Sequence, residues 1–183
     1  MRLIVMRHGE TAWNRERRIQ GMQDIPLNPD GREQVRQACR TLKERERLRP
    51  IRIFTSPLLR ATQSALIASE MFQVPLEVMP CMRERSFGLL EGLTWQEIEE
   101  RCGIADAEEI QDGDWEVEEL AAVSRRVAEG LAALSAAYPH EEILLFTHGS
   151  IIKCLGRAYG REVGILPNAA SLELQIPART TIG

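Results

Sequence analysis

Three apolar runs in this 183-residue chain end in residues suited to binding an anion. Leu3-Ile4-Val5-Met6 runs into Arg7-His8-Gly9-Glu10-Thr11, and Ile51–Thr55 runs into Ser56-Pro57-Leu58-Leu59-Arg60. Ile143-Leu144-Leu145-Phe146 runs into Thr147-His148-Gly149. A guanidinium presents a planar fork of donors that matches phosphate oxygens. A neutral imidazole carries one nitrogen that donates and one that accepts or attacks. The chain has only three histidines, and His8 and His148 both fall at these run ends. His140, beside Pro139 and Glu141, reads as a surface turn residue.

The elements that must hold these residues follow from pattern. Strands are expected at Leu3–Met6, Ile51–Thr55, Leu76–Met79, Ile143–Thr147 and Ser171–Ile176. The first four are short and almost wholly apolar, as in strands covered on both faces. The fifth alternates Leu172, Leu174 and Ile176 with Glu173 and Gln175, the pattern of a half-exposed strand near an edge. Helices are expected to open at Asn28-Pro29, at Ser56-Pro57 and at Thr94, where Thr94 and Glu97 have capping-box spacing. A long helix is marked by Val117, Leu120, Val127, Leu131 and Leu134, and another follows Gly149. Residues 103–116 lack a period and read as a short lid or insertion. Alternating strands and helices predict an α/β fold, a three-layer α/β/α sandwich around a mostly parallel sheet. In such sheets ligands bind at the carboxyl ends of the strands. Parallel strands would therefore bring Arg7, His8, Arg60 and His148 to one crevice, with helix N-termini adding free amides.

Composition narrows the function. With 44% hydrophobic and 27% charged residues the chain reads as an ordinary soluble domain of one core, spanning 1–183. No apolar run is long enough for a membrane span, and the N-terminus turns charged too soon for a secretory signal, so a cytoplasmic location is expected. Cys39, Cys81, Cys102 and Cys154 are widely spaced, which predicts free thiols and no zinc site. Residues 1–60 hold 14 Lys and Arg against 7 Asp and Glu, whereas residues 61–183 hold 9 against 20. The basic half alternates its signs over Arg40–Arg49 and offers no aromatic platform, so no nucleic-acid partner is expected. Residues 91–119 carry 12 acidic residues with Arg101 alone as a base, and read as a solvated acidic lid. Cys39 and Arg45 have the Cys-x5-Arg spacing of cysteine phosphatases. The segment between them lacks glycine, and Cys39 falls on an apolar helix face, so the match is coincidental.

Four ordered blocks resemble the histidine phosphatase superfamily, the phosphoglycerate-mutase-like proteins. They are Arg7-His8-Gly9-Glu10-Thr11-x-Trp13-Asn14, with Gln20-Gly21, Asp24, Pro26-Leu27 and Gly31 following; Ser56-Pro57-Leu58-x-Arg60-Ala61-x-Gln63-Ser64-Ala65; Arg83-Glu84 with Phe87-Gly88-x-x-Glu91-Gly92; and Thr147-His148-Gly149. Together they span residues 1 to about 150. The resemblance implies that His8 attacks phosphorus and becomes a phosphohistidine, without a metal or other cofactor. It implies that Arg7, Arg60 and His148 clamp the phosphoryl oxygens, and that Asn14, Gln20, Gly21 and Gly149 complete the substrate site. Glu84 would protonate the leaving oxygen and then deprotonate water.

The substrate implied is a small phosphomonoester. Hydrolysis is expected over mutase chemistry because the insertion after Glu84 is small and little chain follows the last strand. Two other readings stand beside it. The domain could be a silent phosphate-binding regulatory module, or His8, His148 and Glu84 could be ligands of a metal hydrolase. A homodimer is the default assembly.

Overall fold

The computed structural model describes residues 1–44, 47–104, 110 and 114–177. Five strands, β1 (Arg2–Arg7), β2 (Arg52–Thr55), β3 (Leu76–Val78), β4 (Glu142–Thr147) and β5 (Ser171–Gln175), form one sheet in the order β3-β2-β4-β1-β5. β1 pairs with β4, β4 with β2, and β2 with β3, all in parallel. β5 adds antiparallel to β1 and forms one edge. The expected α/β sandwich with a mostly parallel sheet is what the chain adopts.

β1, β2 and β4 are buried on both faces because alternate side chains serve different layers, whereas β3, expected to be covered likewise, lies at the sheet edge with Glu77 and Val78 exposed. Leu3, Val5, Ile143 and Leu145 pack with Val123, Val127, Leu131, Ile151 and Leu155. Those partners come from α5 (Leu120–Ala137) and α6 (Gly149–Ala158). Ile4, Met6, Leu144 and Phe146 face the opposite layer, with Val35, Cys39, Ala65 and Ala68. These belong to α2 (Pro29–Glu44) and α3 (Leu59–Phe72). A satellite cluster of Ile19, Leu90, Ile98, Ile110 and Val117 lies under α4 (Trp95–Cys102). Cys39 is wholly buried, and burial pushes its thiol up to about 12, which leaves it inert as a nucleophile.

The helices differ from expectation at two starts. α3 opens at Leu59, not at Pro57, because the Ser56 hydroxyl turns the chain by accepting from the Leu58 amide at 3.2 Å. α5 opens at Leu120, so Val117 is not helical. The Glu118 amide instead donates to the Ser86 carbonyl at 2.9 Å, and Val117 joins the satellite cluster. The four-residue helix α1 (Ala12–Arg15) is too short to leave a periodic signature. Most of the lid expected at 103–116 lies outside the described residues. Among the described residues no helix is long and apolar enough to cross a membrane.

Candidate active site

β1, β4 and β2 are lateral neighbours, so the residues that follow them meet at one edge of the sheet. The ladder carries over into the loops, with the His8 amide donating to Thr147 O and the Ser56 amide to Phe146 O, each at 3.0 Å. The histidine that follows β1 thus lies beside the one that follows β4, with ring centroids 5.3 Å apart. Arg7, His8, Asn14, Gln20, Gly21, Arg60, Glu84 and Gly149 line one cleft of about 310 Å³. His148 is fully buried and stands beside His8 rather than on the cleft wall.

Hydrogen bonds fix the imidazoles. His8 Nδ1 lies 2.7 Å from the carbonyl of Gly9, which can only accept, so Nδ1 carries the proton and Nε2 keeps its lone pair. Burial, then the positive charges of Arg60 and Arg7, hold the His8 pKa well below the usual imidazole range. Burial and the same arginines do this to His148 as well. His148 Nε2 lies 2.6 Å from Ser56 Oγ. That hydroxyl accepts from the Leu58 amide and has one proton to give; the tautomer in which it donates to Nε2 is the one with the imidazole proton on Nδ1. Nδ1 is buried with no hydrogen-bond partner in the protein.

The arginines are anchored to backbone rather than to carboxylates. Arg60, in the first turn of α3, donates to Gln23 O at 2.7 Å and to Gly21 O at 2.8 Å. Burial lowers its pKa to about 10, so it stays cationic at neutral pH. Arg7 donates to Leu166 O, and burial lowers its pKa too. A buried guanidinium, Arg60, and a half-buried one, Arg7, both held by carbonyls, leave their charge for a ligand. Asn14 Oδ1 accepts from the Thr11 amide at 3.1 Å and from Asn168 Nδ2 at 3.2 Å. An amide N–H can only donate, so the Asn14 amide is oriented and its NH₂ is the group it has for a ligand. Gln20 Oε1 accepts from Thr11 Oγ1 at 3.0 Å.

Glu84 lies on an irregular stretch, its Oε1 accepting from the Arg85 amide at 2.9 Å and its Oε2 3.5 Å from the Ser150 amide. Both Glu84 and Arg85 are buried, so this stretch of alternating charge is not a solvated run. Of the described acidic residues in 91–119, Glu99, Glu100, Asp114, Glu116 and Glu119 are exposed, as a solvated segment requires, whereas Glu91, Glu97 and Glu118 are half-buried. Glu91 accepts from Met22 N, Gln23 Nε2 and Phe87 N at 2.9–3.0 Å, which fastens the loop that Arg60 grips. Close backbone contact sets the nucleophile's own loop. A Cβ on Gly9 would lie 2.3 Å from Gly31 O, and one on Gly31 would lie 2.1 Å from Glu10 O.

Sequence reasoning passed over several residues here. Asn168 donates to His8 O at 3.1 Å and to Asn14, bridging two expected site residues from a loop before β5. Ser64 Oγ accepts from Gly9 N at 3.1 Å and donates to Arg60 O at 2.7 Å. Ser56 and Ser64 both belong to the second block of the resemblance, which implied no role for either. Arg17, Phe87, Trp95, Lys153 and Ile165 also line the cleft.

The profile of branch 1 of the histidine phosphatase superfamily matches residues 3–169. The chain belongs to that superfamily. It is 35% identical over 153 residues to an uncharacterised phosphatase, PhoE, of Bacillus subtilis, covering 84% of this chain and 74% of that one. It is 31% identical over 162 residues to a metal-independent phosphoserine phosphatase of Arabidopsis thaliana, covering 84% and 66% of the two chains. A solved mycobacterial glucosyl-3-phosphoglycerate phosphatase with VO3 superposes at a TM-score of 0.85, with 28% identity and 95% and 90% coverage. A phosphoglycerate mutase from Thermus thermophilus superposes at 0.77, with 32% identity and 98% and 95% coverage. Superfamily membership and the phosphatase names among these relatives support an enzyme of the histidine phosphatase type.

Proposed function

We propose that the chain hydrolyses small phosphomonoesters through a phosphohistidine on His8. The observation that carries this is the Gly9 carbonyl at 2.7 Å from His8 Nδ1, which leaves Nε2 as the free nucleophilic nitrogen. Its depressed pKa keeps that nitrogen unprotonated at neutral pH. Nε2 attacks phosphorus in line and the bond to the ester oxygen breaks. Arg7 and Arg60 hold the non-bridging oxygens, with the Nδ1 proton of His148 and the Asn14 amide as further donors. Glu84 delivers its proton to the departing oxygen. It then takes one from water, which attacks the phosphohistidine and releases phosphate. No step requires a metal.

The cleft's volume suits a small metabolite, and its wall mixes Arg17 and Lys153 with Phe87, Trp95 and Ile165. A leaving group with both polar and apolar parts fits that wall. The phosphatase names among the relatives favour water over a second substrate as the phosphoryl acceptor.

The test is phosphate release from an aryl phosphate in the presence of chelator, for the native chain beside His8→Ala. Turnover should be lost in the variant, and the native enzyme quenched during turnover should carry acid-labile, base-stable phosphate. Activity surviving in His8→Ala would remove the nucleophile. Activity abolished by chelator and restored by a divalent cation would favour a metal hydrolase. Interconversion of phosphoglycerates faster than phosphate release would favour the mutase named among the relatives.

A further inference from the structure

Residues 83–87 belong to neither helix nor strand, so no backbone ladder sets the position of Glu84. Side chains do it instead. The carbonyl of Met82 accepts from Thr147 Oγ1 at 2.7 Å, at the end of β4. The carbonyls of Cys81, Arg83 and Glu84 accept from the guanidinium of Arg126 at 2.6, 2.8 and 3.2 Å. Four consecutive carbonyls are thus tied to side chains from elsewhere, three of them to one arginine on α5.

Arg126 is itself fixed by Glu118. Its Nε and Nη2 donate to the two oxygens of Glu118, each at 3.0 Å, in a two-pronged ion pair. Arg83 forks onto the same two oxygens at 3.0 and 3.1 Å, and the Ser86 amide donates to one of them at 3.1 Å. The Glu118 backbone closes the knot, with its carbonyl accepting from Arg85 Nε at 2.7 Å and its amide donating to Ser86 O at 2.9 Å. Burial works against the charge on Glu118, but the hydrogen bonds from Arg126, Arg83 and Ser86 outweigh it and hold the carboxyl at about 2. The knot therefore stays ionised wherever the enzyme would work.

We propose that Glu118 and Arg126 are positioning residues for Glu84, fixing through its backbone the angle at which its carboxyl meets the leaving oxygen. Neither side chain lines the cleft. The proposal rests on Glu84 being the acid. The geometry assigns no direct contact with substrate to either residue, and the knot is asked only to hold a proton donor in place. A proton donor displaced by an ångström loses most of its effect on a leaving group that needs a proton, and little on one that does not.

The experiment compares kcat/KM, which reports the steps up to the phosphohistidine, on two substrates. One is an alkyl phosphate, whose alkoxide must be protonated. The other is dinitrophenyl phosphate, whose phenolate leaves without help. Glu84→Gln, Glu118→Gln, Arg126→Lys and the double variant Glu84→Gln/Glu118→Gln are measured beside the native chain. Glu118→Gln and Arg126→Lys should each lose at least about 10-fold on the alkyl ester and under about 3-fold on the aryl ester. The double variant should be no slower on the alkyl ester than Glu84→Gln alone. Equal losses on both substrates, additive losses in the double variant, or failure of both single variants to fold would each reduce the knot to a structural role and overturn the proposal. If Glu84→Gln itself shows no dependence on the leaving group, the acid is elsewhere, and that separate result removes this inference along with that assignment.

Discussion

A hydroxyl joins the second block of the sequence to the fourth. Ser56 Oγ reaches His148 Nε2 at 2.6 Å, and both side chains are buried. Ser56→Ala would leave that nitrogen without a partner and release the constraint on the His148 tautomer. We expect kcat/KM on an aryl phosphate to fall about 10-fold, as for loss of one donor indirectly, and stability in urea to fall by about 1–3 kcal/mol. Unchanged kinetics in the variant would mean that His148 does not depend on Ser56 for its proton. Arg7, His8, Arg60 and His148 were legible because a strand end announces itself as a polar break after an apolar run. Ser56, Asn168 and Ser64 were not, because a hydroxyl or amide acquires its partner only through tertiary contact. Nothing in the residues around Asn168 signals a bond to His8, 160 positions away.

At the scale of elements, α4 shows a local signal that held. Thr94 and Glu97 have capping-box spacing in the sequence, and in the fold Thr94 Oγ1 accepts from Glu97 N at 3.2 Å while Glu97 accepts from Thr94 N at 2.8 Å. This end of α4 also supplies the cleft wall, since the Trp95 amide donates to Arg17 O at 3.2 Å and both residues line the cleft. Thr94→Ala should lower stability by about 1 kcal/mol. It should raise KM while leaving kcat nearly unchanged, since α4 touches the leaving-group side and none of the reacting atoms. A fall in kcat with KM unchanged would place α4 nearer the chemistry than argued. The strands were also legible, their bounds within a residue or so: β1, β2 and β4 because runs buried on both faces have no other stable use, and β5 by its alternation, while the exposed edge position of β3 was not foreseen. The starts of α3 and α5 were misread for one reason. Ser56-Pro57 and Val117 carry helix-start signals, yet Ser56 is spent on His148 and the backbone of Glu118 on Ser86. The antiparallel direction of β5 leaves no mark in its sequence, since alternation is the same in either direction.

For the whole molecule, His8 and His148 couple folding to pH. Both are buried and held neutral in the folded chain, with pKa values well below the usual value of 6.5. The unfolded chain takes up protons near 6.5 that the folded chain refuses, so their stabilising contribution is complete above that pH and is lost as pH falls below it. Each histidine should remove about 1.4 kcal/mol per pH unit in that window, until its folded pKa is reached. Urea denaturation at pH 7.5 and 5.5 should show the loss, and His8→Gln/His148→Gln should flatten it. An equally steep loss in the double variant would assign the slope to other groups. The Glu118 knot, titrating near 2, should give way in a separate and more acidic step. Sequence alone could not order these events, because burial and charge proximity exist only after folding.

The contact of Gly9 with Gly31 has a consequence for how such a chain can change over generations. The nucleophile's loop and the first turn of α2 have no room to diverge independently, as even a methyl group at either place strikes the backbone of the other segment. A library randomised along α2 should recover many amino acids at the outward Glu33 and Arg36 and only glycine at the buried position 31. A helix that lines no part of the cleft would then carry, in its tolerance profile, the imprint of the reaction at the other end of the loop.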